Sequence, residues 1–358
     1  MRKGGSFMKR NYGIDLLRIV SMLFVILLHL MGIGDICANT ALYSPQFYLT
    51  QFIRIATYCA VNCYALISGF VAWDRKPRLS GLLNLWAKVI IFCVAITVFI
   101  HLRTPGAMTP EDLRKAFTPV NSAAYWYFNA YVGMFFFLPL LNYGIRGISG
   151  KEAVFAVVGI LALVTVQPYS GIRTSFLLGY GYSALWLMIL YILGGLMSRF
   201  DIPGKLSAKA WAALYLLAVL GSYAPRMIML VLKPELWSAE NYNLSMQYTN
   251  PPVVLAAVTL VALFARLKLS DGLVRVTKAL SPHAFGVYLL HTHTLIFWTF
   301  IGNRFAWLGT APVWKLLAVT AVATACIYAV GTAADWLVTQ AIKLTRFDKL
   351  LKKLDTLL

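Results

Sequence analysis

Acidic side chains are scarce in this sequence: 13 Asp and Glu stand against 32 Lys and Arg over 358 residues. Charge of either sign is thin as well, at 13% of the chain, where soluble domains hold about a quarter. With 60% of residues hydrophobic, that thinness excludes a soluble globular fold and leaves a polytopic membrane protein. The five cysteines (Cys37, Cys59, Cys63, Cys93 and Cys326) are odd in number and lie mostly inside apolar runs. Without paired ligand spacing they frame neither a disulfide scaffold nor a metal centre, and no bound metal is expected. A Walker-type phosphate loop, a Gly-x-Ser-x-Gly elbow and a His-Glu-x-x-His helix are all missing, which removes the chemistries those motifs carry. Acids within or beside the apolar runs reduce to Asp15, Asp74 and Asp335, each near a span end on the same side. A proton-coupled carrier more often places a carboxylate at the midplane. No internal repeat, low-complexity tract or soluble domain is visible, so residues 1–358 read as one transmembrane domain.

What fills the chain instead is a series of about ten apolar stretches long enough to span a bilayer, for which ~17–25 residues are needed. They lie near Leu16–Gly34, Tyr48–Trp73, Leu82–Ile100, Ala124–Tyr143, Ala153–Gln167 and Tyr182–Ser198. The remaining four lie near Trp211–Leu232, Pro252–Phe264, Phe285–Ile301 and Pro312–Ile342. Alternate connections differ in charge: one set carries 21 of the 32 Lys and Arg, the other 8, and Arg18, Arg54 and Lys88 fall within spans. Basic residues accumulate in the cytoplasm, so the bias predicts ten crossings with both termini inside. Residues 1–13 then form a basic cytoplasmic N-terminus, and 343–358 a basic cytoplasmic tail. The net charge of +19 would suggest nucleic acid in a soluble chain; distributed this way it orients the protein, and no nucleic-acid partner is expected. Basic Met1–Arg10 opens as a signal peptide does, but the run behind it is long and has no small-residue cleavage site. A retained first helix is expected.

That first run carries Asp15, Arg18 and His29. Eleven steps of 100° leave Arg18 and His29 only about 20° apart on a helix, and Asp15 falls close to the same stripe. A rise of about 1.5 Å per residue separates Arg18 from His29 by roughly 16 Å along the axis. A charged side chain in hydrocarbon costs at least ~2.5 kcal/mol, so such a stripe faces a protein interior or a wet cavity. Taken singly, Arg18 could snorkel to the headgroups and His29 could bond a neighbouring helix. Their joint placement with Asp15 favours a chemical face.

Four other places stand out. Ser68 closes the second span ahead of Arg75, Lys76 and Arg78, a cluster suited to phosphates through guanidinium contacts or to the ordinary inside bias. Lys88 could reach the same vestibule or snorkel. The Tyr125-Trp126-Tyr127-Phe128-Asn129 stretch reads as an interfacial aromatic belt. Tyr288 and His291 share a helical face in the ninth span, while His293 lies about 200° from His291, which argues against a His-x-His metal pair. Arg54, on the outer half of the second span, can meet whatever enters from outside. The outer connection holding Trp237, Asn241, Tyr242, Asn243, Gln247 and Tyr248 has the aromatic and amide mixture that can hold a sugar, or simply anchors at the interface.

Ile14-Asp15-Leu16-Leu17-Arg18, with His29 eleven residues on, resembles the opening motif of the integral-membrane acyltransferase family 3. Ile67-Ser68-Gly69-Phe70, the Arg75/Arg78 cluster, Trp126 leading into Pro139, Tyr191 to Gly195, and Phe285 to His291 extend the likeness over nearly the whole chain. The cluster reads Arg-Lys-Pro-Arg rather than the family's commoner Arg-x-Arg, and the C-terminal hydrolase-like or racemase domain of some members is lacking. The resemblance implies an all-α enzyme of ten spans in the bacterial cytoplasmic membrane. It implies transfer of an acyl group, usually acetyl, from cytoplasmic acyl-CoA to a hydroxyl of an extracytoplasmic glycan or lipid-linked sugar. Acyl-CoA, acetyl-CoA in the usual case, would be a co-substrate, with no tightly bound cofactor. Catalysis would fall to His29 with Arg18 and Asp15. Arg75, Lys76, Arg78, Lys88 and Ser68 would hold the donor, and Tyr288, His291, Trp126 and Arg54 would line the channel to the acceptor. A transporter or flippase, or a non-catalytic membrane partner subunit, is the alternative.

Overall fold

In hydrocarbon each backbone N–H and C=O needs an internal partner, and an apolar run meets that demand by coiling into a helix. The computed structural model describes residues 10–104, 109–120, 125–166, 178–234 and 246–355, and among them regular structure is helical throughout. Arg2, Lys3 and Lys9, Arg173, and Trp237 with Asn241, Tyr242 and Asn243 lie outside the described residues. Helix α1 (Tyr12–Gly32) starts at Asn11, whose side chain accepts from the Ile14 amide.

The second predicted span is two helices, α2 (Pro45–Thr57) and α3 (Ala60–Ala72), parted at Tyr58–Cys59. Thr57 donates its hydroxyl to the Ile53 carbonyl at 2.8 Å, a back-bond of the kind that bends helices. Next come α4 (Leu79–Arg103) and the short α5 (Pro110–Phe117), which opens on a Thr109–Asp112 capping box. The fourth predicted span is also broken, into α6 (Trp126–Phe135) and α7 (Leu138–Gly147), bent by 63°. Pro139 supplies the reason: it has no amide to donate, and its ring crowds the preceding turn.

The chain continues through α8 (Gly150–Val166), α9 (Ala184–Arg199), α10 (Ala208–Leu232), α11 (Pro251–Arg266), α12 (Asp271–Leu280) and α13 (Ala284–Thr292). The ninth predicted span is not one straight helix. Asp271–Thr292 breaks at His293, and Thr294–Ile301 leaves at 61°. His293 has extended backbone and accepts the Leu295 amide on its ring nitrogen, acting as the cap of the new turn. Helices α14 (Val313–Leu344) and α15 (Phe347–Leu354) complete the chain. Among the described residues five stretches, with Pro45–Ala72 taken as one, are long and apolar enough to cross a membrane, or up to seven if each of the two bent pairs counts as one span. Ala184–Arg199 and Pro251–Arg266 are apolar but shorter. The molecule is a multi-pass helical membrane protein whose outward faces carry apolar side chains such as Phe155, Leu217 and Trp314.

Helix α1 sits at the centre, against α2, α3, α11, α12, α13 and α14. Beside it α3 and α9 touch backbone to backbone. A Cβ at Gly69 would overlap the Tyr191 carbonyl, and one at Gly194 the Leu66 carbonyl. Small residues permit such approach where no hydrophobic force drives helices together. This contact fixes the α3 face that carries Tyr64 and Ser68.

Candidate active site

The α1 stripe points inward. Asp15 is buried and accepts from Arg10 Nε at 2.6 Å and from the Arg18 guanidinium one turn on. The paired carboxylate offsets the desolvation of Arg18 and fixes its direction. Tyr64 of α3 donates its hydroxyl to the Arg18 carbonyl at 2.6 Å, tying this part of α1 to α3. Ser68, four residues on, donates to the Tyr64 carbonyl at 2.9 Å.

A cavity of about 830 Å³ follows α1. Its lining includes Arg18, Ser68 and Ser281, together with His29, Tyr127 and Tyr288. It is also lined by Arg54, Tyr58, Trp126, Tyr182 and Tyr248. Its volume lies in the upper part of the ~300–1,000 Å³ common for small-molecule sites. Among the described residues the lining holds two arginines, a histidine and several phenols, and neither Asp nor Glu. Such a surface favours anionic groups and developing oxyanions.

His29 is the imidazole on this surface. Its Nδ1 lies 3.2 Å from Nε2 of His291, and the Nδ1 of His291 lies 2.6 Å from the Val287 carbonyl. Phe297, from the turn beyond the His293 break, packs at right angles to the His29 ring with centroids 4.9 Å apart. The bend thus brings a residue of the outgoing segment onto the imidazole. His291 is buried behind His29 and does not line the cavity.

The aromatic wall is held from behind. Asn62 donates to the Tyr248 carbonyl at 2.7 Å and accepts from the Trp186 indole at 3.1 Å. Tyr248 stacks on Tyr58 at 4.9 Å, and Trp126 meets Tyr182 at 4.5 Å between ring centroids. Tyr125 donates to the Leu289 carbonyl at 2.8 Å, joining α13 to the start of α6.

The other predicted residues are placed differently. Arg75, Lys76 and Arg78 are exposed in the turn before α4, and none of them lines the cavity. Lys88 is committed elsewhere: its ammonium lies 2.8 and 2.9 Å from the two oxygens of Asp335, which is fully buried. His283 Nδ1 reaches the same carboxylate at 2.7 Å. Arg54 lines the cavity, within electrostatic range of Arg226 on α10. Sequence reasoning missed Tyr64, whose signal was its place one helical turn before Ser68. It named Asp335 and Tyr248 but not their partners: Lys88 and His283 around Asp335, and Tyr58 and Tyr182 beside Tyr248, which come from far along the chain. Among the described residues no group of three His, Cys, Asp or Glu is placed to hold a metal ion.

A helical membrane protein with a cationic, aromatic cavity and a held imidazole defines the class. A family model described as an acyltransferase domain matches residues 11–332, and the chain belongs to that family, acyltransferase family 3. No curated protein and no solved structure matches the chain. The chain is therefore a membrane acyltransferase.

Proposed function

We propose that the protein takes an acyl group, acetyl in the simplest case, from cytoplasmic acyl-CoA. It passes that group to a hydroxyl of an extracytoplasmic glycan or lipid-linked sugar across the bacterial cytoplasmic membrane. The observation that supports this is that Arg18, His29 and Arg54 all line one cavity. The charge bias sets the direction, with both termini and the Arg18 end cytoplasmic and ten crossings in all. Acyl-CoA phosphates cannot enter hydrocarbon, so Arg75, Lys76 and Arg78 hold them at the surface while the thin pantetheine arm passes Ser68 and Arg18.

The roughly 16 Å from Arg18 to His29 brings the thioester carbonyl to the imidazole. His29 removes the proton from the acceptor hydroxyl as its oxygen attacks that carbonyl. Tyr288 donates to the oxyanion of the tetrahedral intermediate. Collapse breaks the carbon–sulfur bond, forms the ester, and returns the proton to the CoA thiolate through His29. Asp15 does not touch substrate in this scheme; it holds Arg18. Trp126 and the tyrosines around it offer the acceptor an aromatic wall, with Arg54 beside it.

Purified protein in lipid should move labelled acetyl from acetyl-CoA to a glycan extract. His29→Ala should lower the rate by ~10²–10⁴, the usual contribution of a general base, at normal expression. Full activity in His29→Ala would remove the mechanism. Substrate movement without consumption of acyl-CoA would mark a carrier instead.

A further inference from the structure

We infer that His291 is a positioning residue that holds His29 in the Nδ1–H tautomer, so that the Nε2 lone pair is the base presented to the cavity. The inference rests on His29 as the base and names the residue and the bond that prepare it.

The hydrogen bonds fix the protons by elimination. Nδ1 of His291 lies 2.6 Å from the Val287 carbonyl, which only accepts, so that nitrogen carries hydrogen. In a neutral ring the Nε2 of His291 is then an acceptor. It lies 3.2 Å from Nδ1 of His29, which must donate. Nε2 of His29 is left bare, and among the described residues it makes no hydrogen bond. The neutral pair is also the form that puts no uncompensated charge in the apolar interior, since His291 is only 2% exposed.

The backbone keeps this arrangement. Val287 is one turn before His291 on α13, so the ring folds back on its own helix. The helix ends directly after, at Thr292, and the 61° bend brings Phe297 onto the other side of the His29 ring. Held by His291 and packed on Phe297, the imidazole keeps its Nε2 toward the cavity. The relay parallels the carboxylate that orients histidine in hydrolase triads, where the second group sets the tautomer and does not itself take the proton. Here a backbone carbonyl ends the chain, and the resting pair is neutral until His29 takes the acceptor's proton.

The test uses full-length protein in lipid nanodiscs with ¹⁵N-labelled histidine. The His29 signals, assigned by their loss in His29→Gln, should show a protonated Nδ1 and a bare Nε2. His291→Leu removes the acceptor and should lower kcat by ~10–100-fold, as loss of an orienting partner does, with KM for acetyl-CoA unchanged. It should also shift the His29 signals toward the Nε2–H form. His291→Gln keeps an acceptor oxygen near the Nε2 position and should restore most of kcat and the Nδ1–H signals. A His29 found as Nε2–H in the parent protein, or a His291→Leu enzyme with parental kcat and spectrum, would overturn the inference. If His291→Leu fails to fold, the parent spectrum and the Gln variant decide. Active His29→Ala with an Nδ1–H parent spectrum would end the base reading and support the tautomer assignment alone.

Discussion

Lys88 can be read as a donor-binding residue or as half of a buried ion pair, and Lys88→Met separates the two. Its ammonium lies 2.8 Å from Asp335, and at an effective dielectric of ~20 that contact is an attraction of about 6 kcal/mol. Desolvating both ions offsets most of this, which is why an intact buried pair contributes little net stability. Removing one partner is different, because the remaining charge stays buried: the cost is ~3–5 kcal/mol. Asp335 is fully buried, and a Cβ at Gly286 would run into its side chain, so it cannot swing toward water. His283 still donates to it, so the lower end, ~3 kcal/mol, is expected for Lys88→Met. Equilibrium unfolding in mixed detergent micelles reads this directly. Lys88→Met/Asp335→Leu, which removes both charges, should recover most of the loss, and KM for acetyl-CoA should stay at the parental value in both. A Lys88→Met protein of full stability with a KM raised tenfold would refute the reasoning and return Lys88 to the donor site.

Gly69→Ala or Gly194→Ala should cost ~1–3 kcal/mol, because each new methyl would force α3 and α9 apart; unfolding midpoints check this, and a neutral result would mean that the backbones do not touch. Asp355 accepts from the Ser80 amide at 2.9 Å and hydroxyl at 2.5 Å, docking α15 beside α4. These bonds hold its carboxyl below the ordinary value of 3.8. The folded pKa is depressed, so the contact is fully present above pH 3.8 and is lost as pH falls through the lower folded value. Asp355→Asn should therefore expose the tail to protease at neutral pH, and unchanged protection would sink the assignment.

Sequence alone determined that the chain is helical and membrane-bound, because apolar runs with few charges admit little else. It also placed Asp15, Arg18 and His29 on one face, since helical periodicity is a local property. It could not find the interruption at Tyr58 or the 61° bend at His293: no proline marks either, and both depend on side-chain hydrogen bonds and packing. Pro139 could have marked the third break, but the fourth span was read straight through it. Lys88 looked free because its partner is 247 residues away, and the same is true of His29 and His291, 262 apart. Which polar groups meet is set by how helices pack, and that packing turns on close contacts such as Gly69 with Tyr191. Periodicity gave the stripe its residues; only the tertiary structure decided which nitrogen of His29 is held and which faces the cavity.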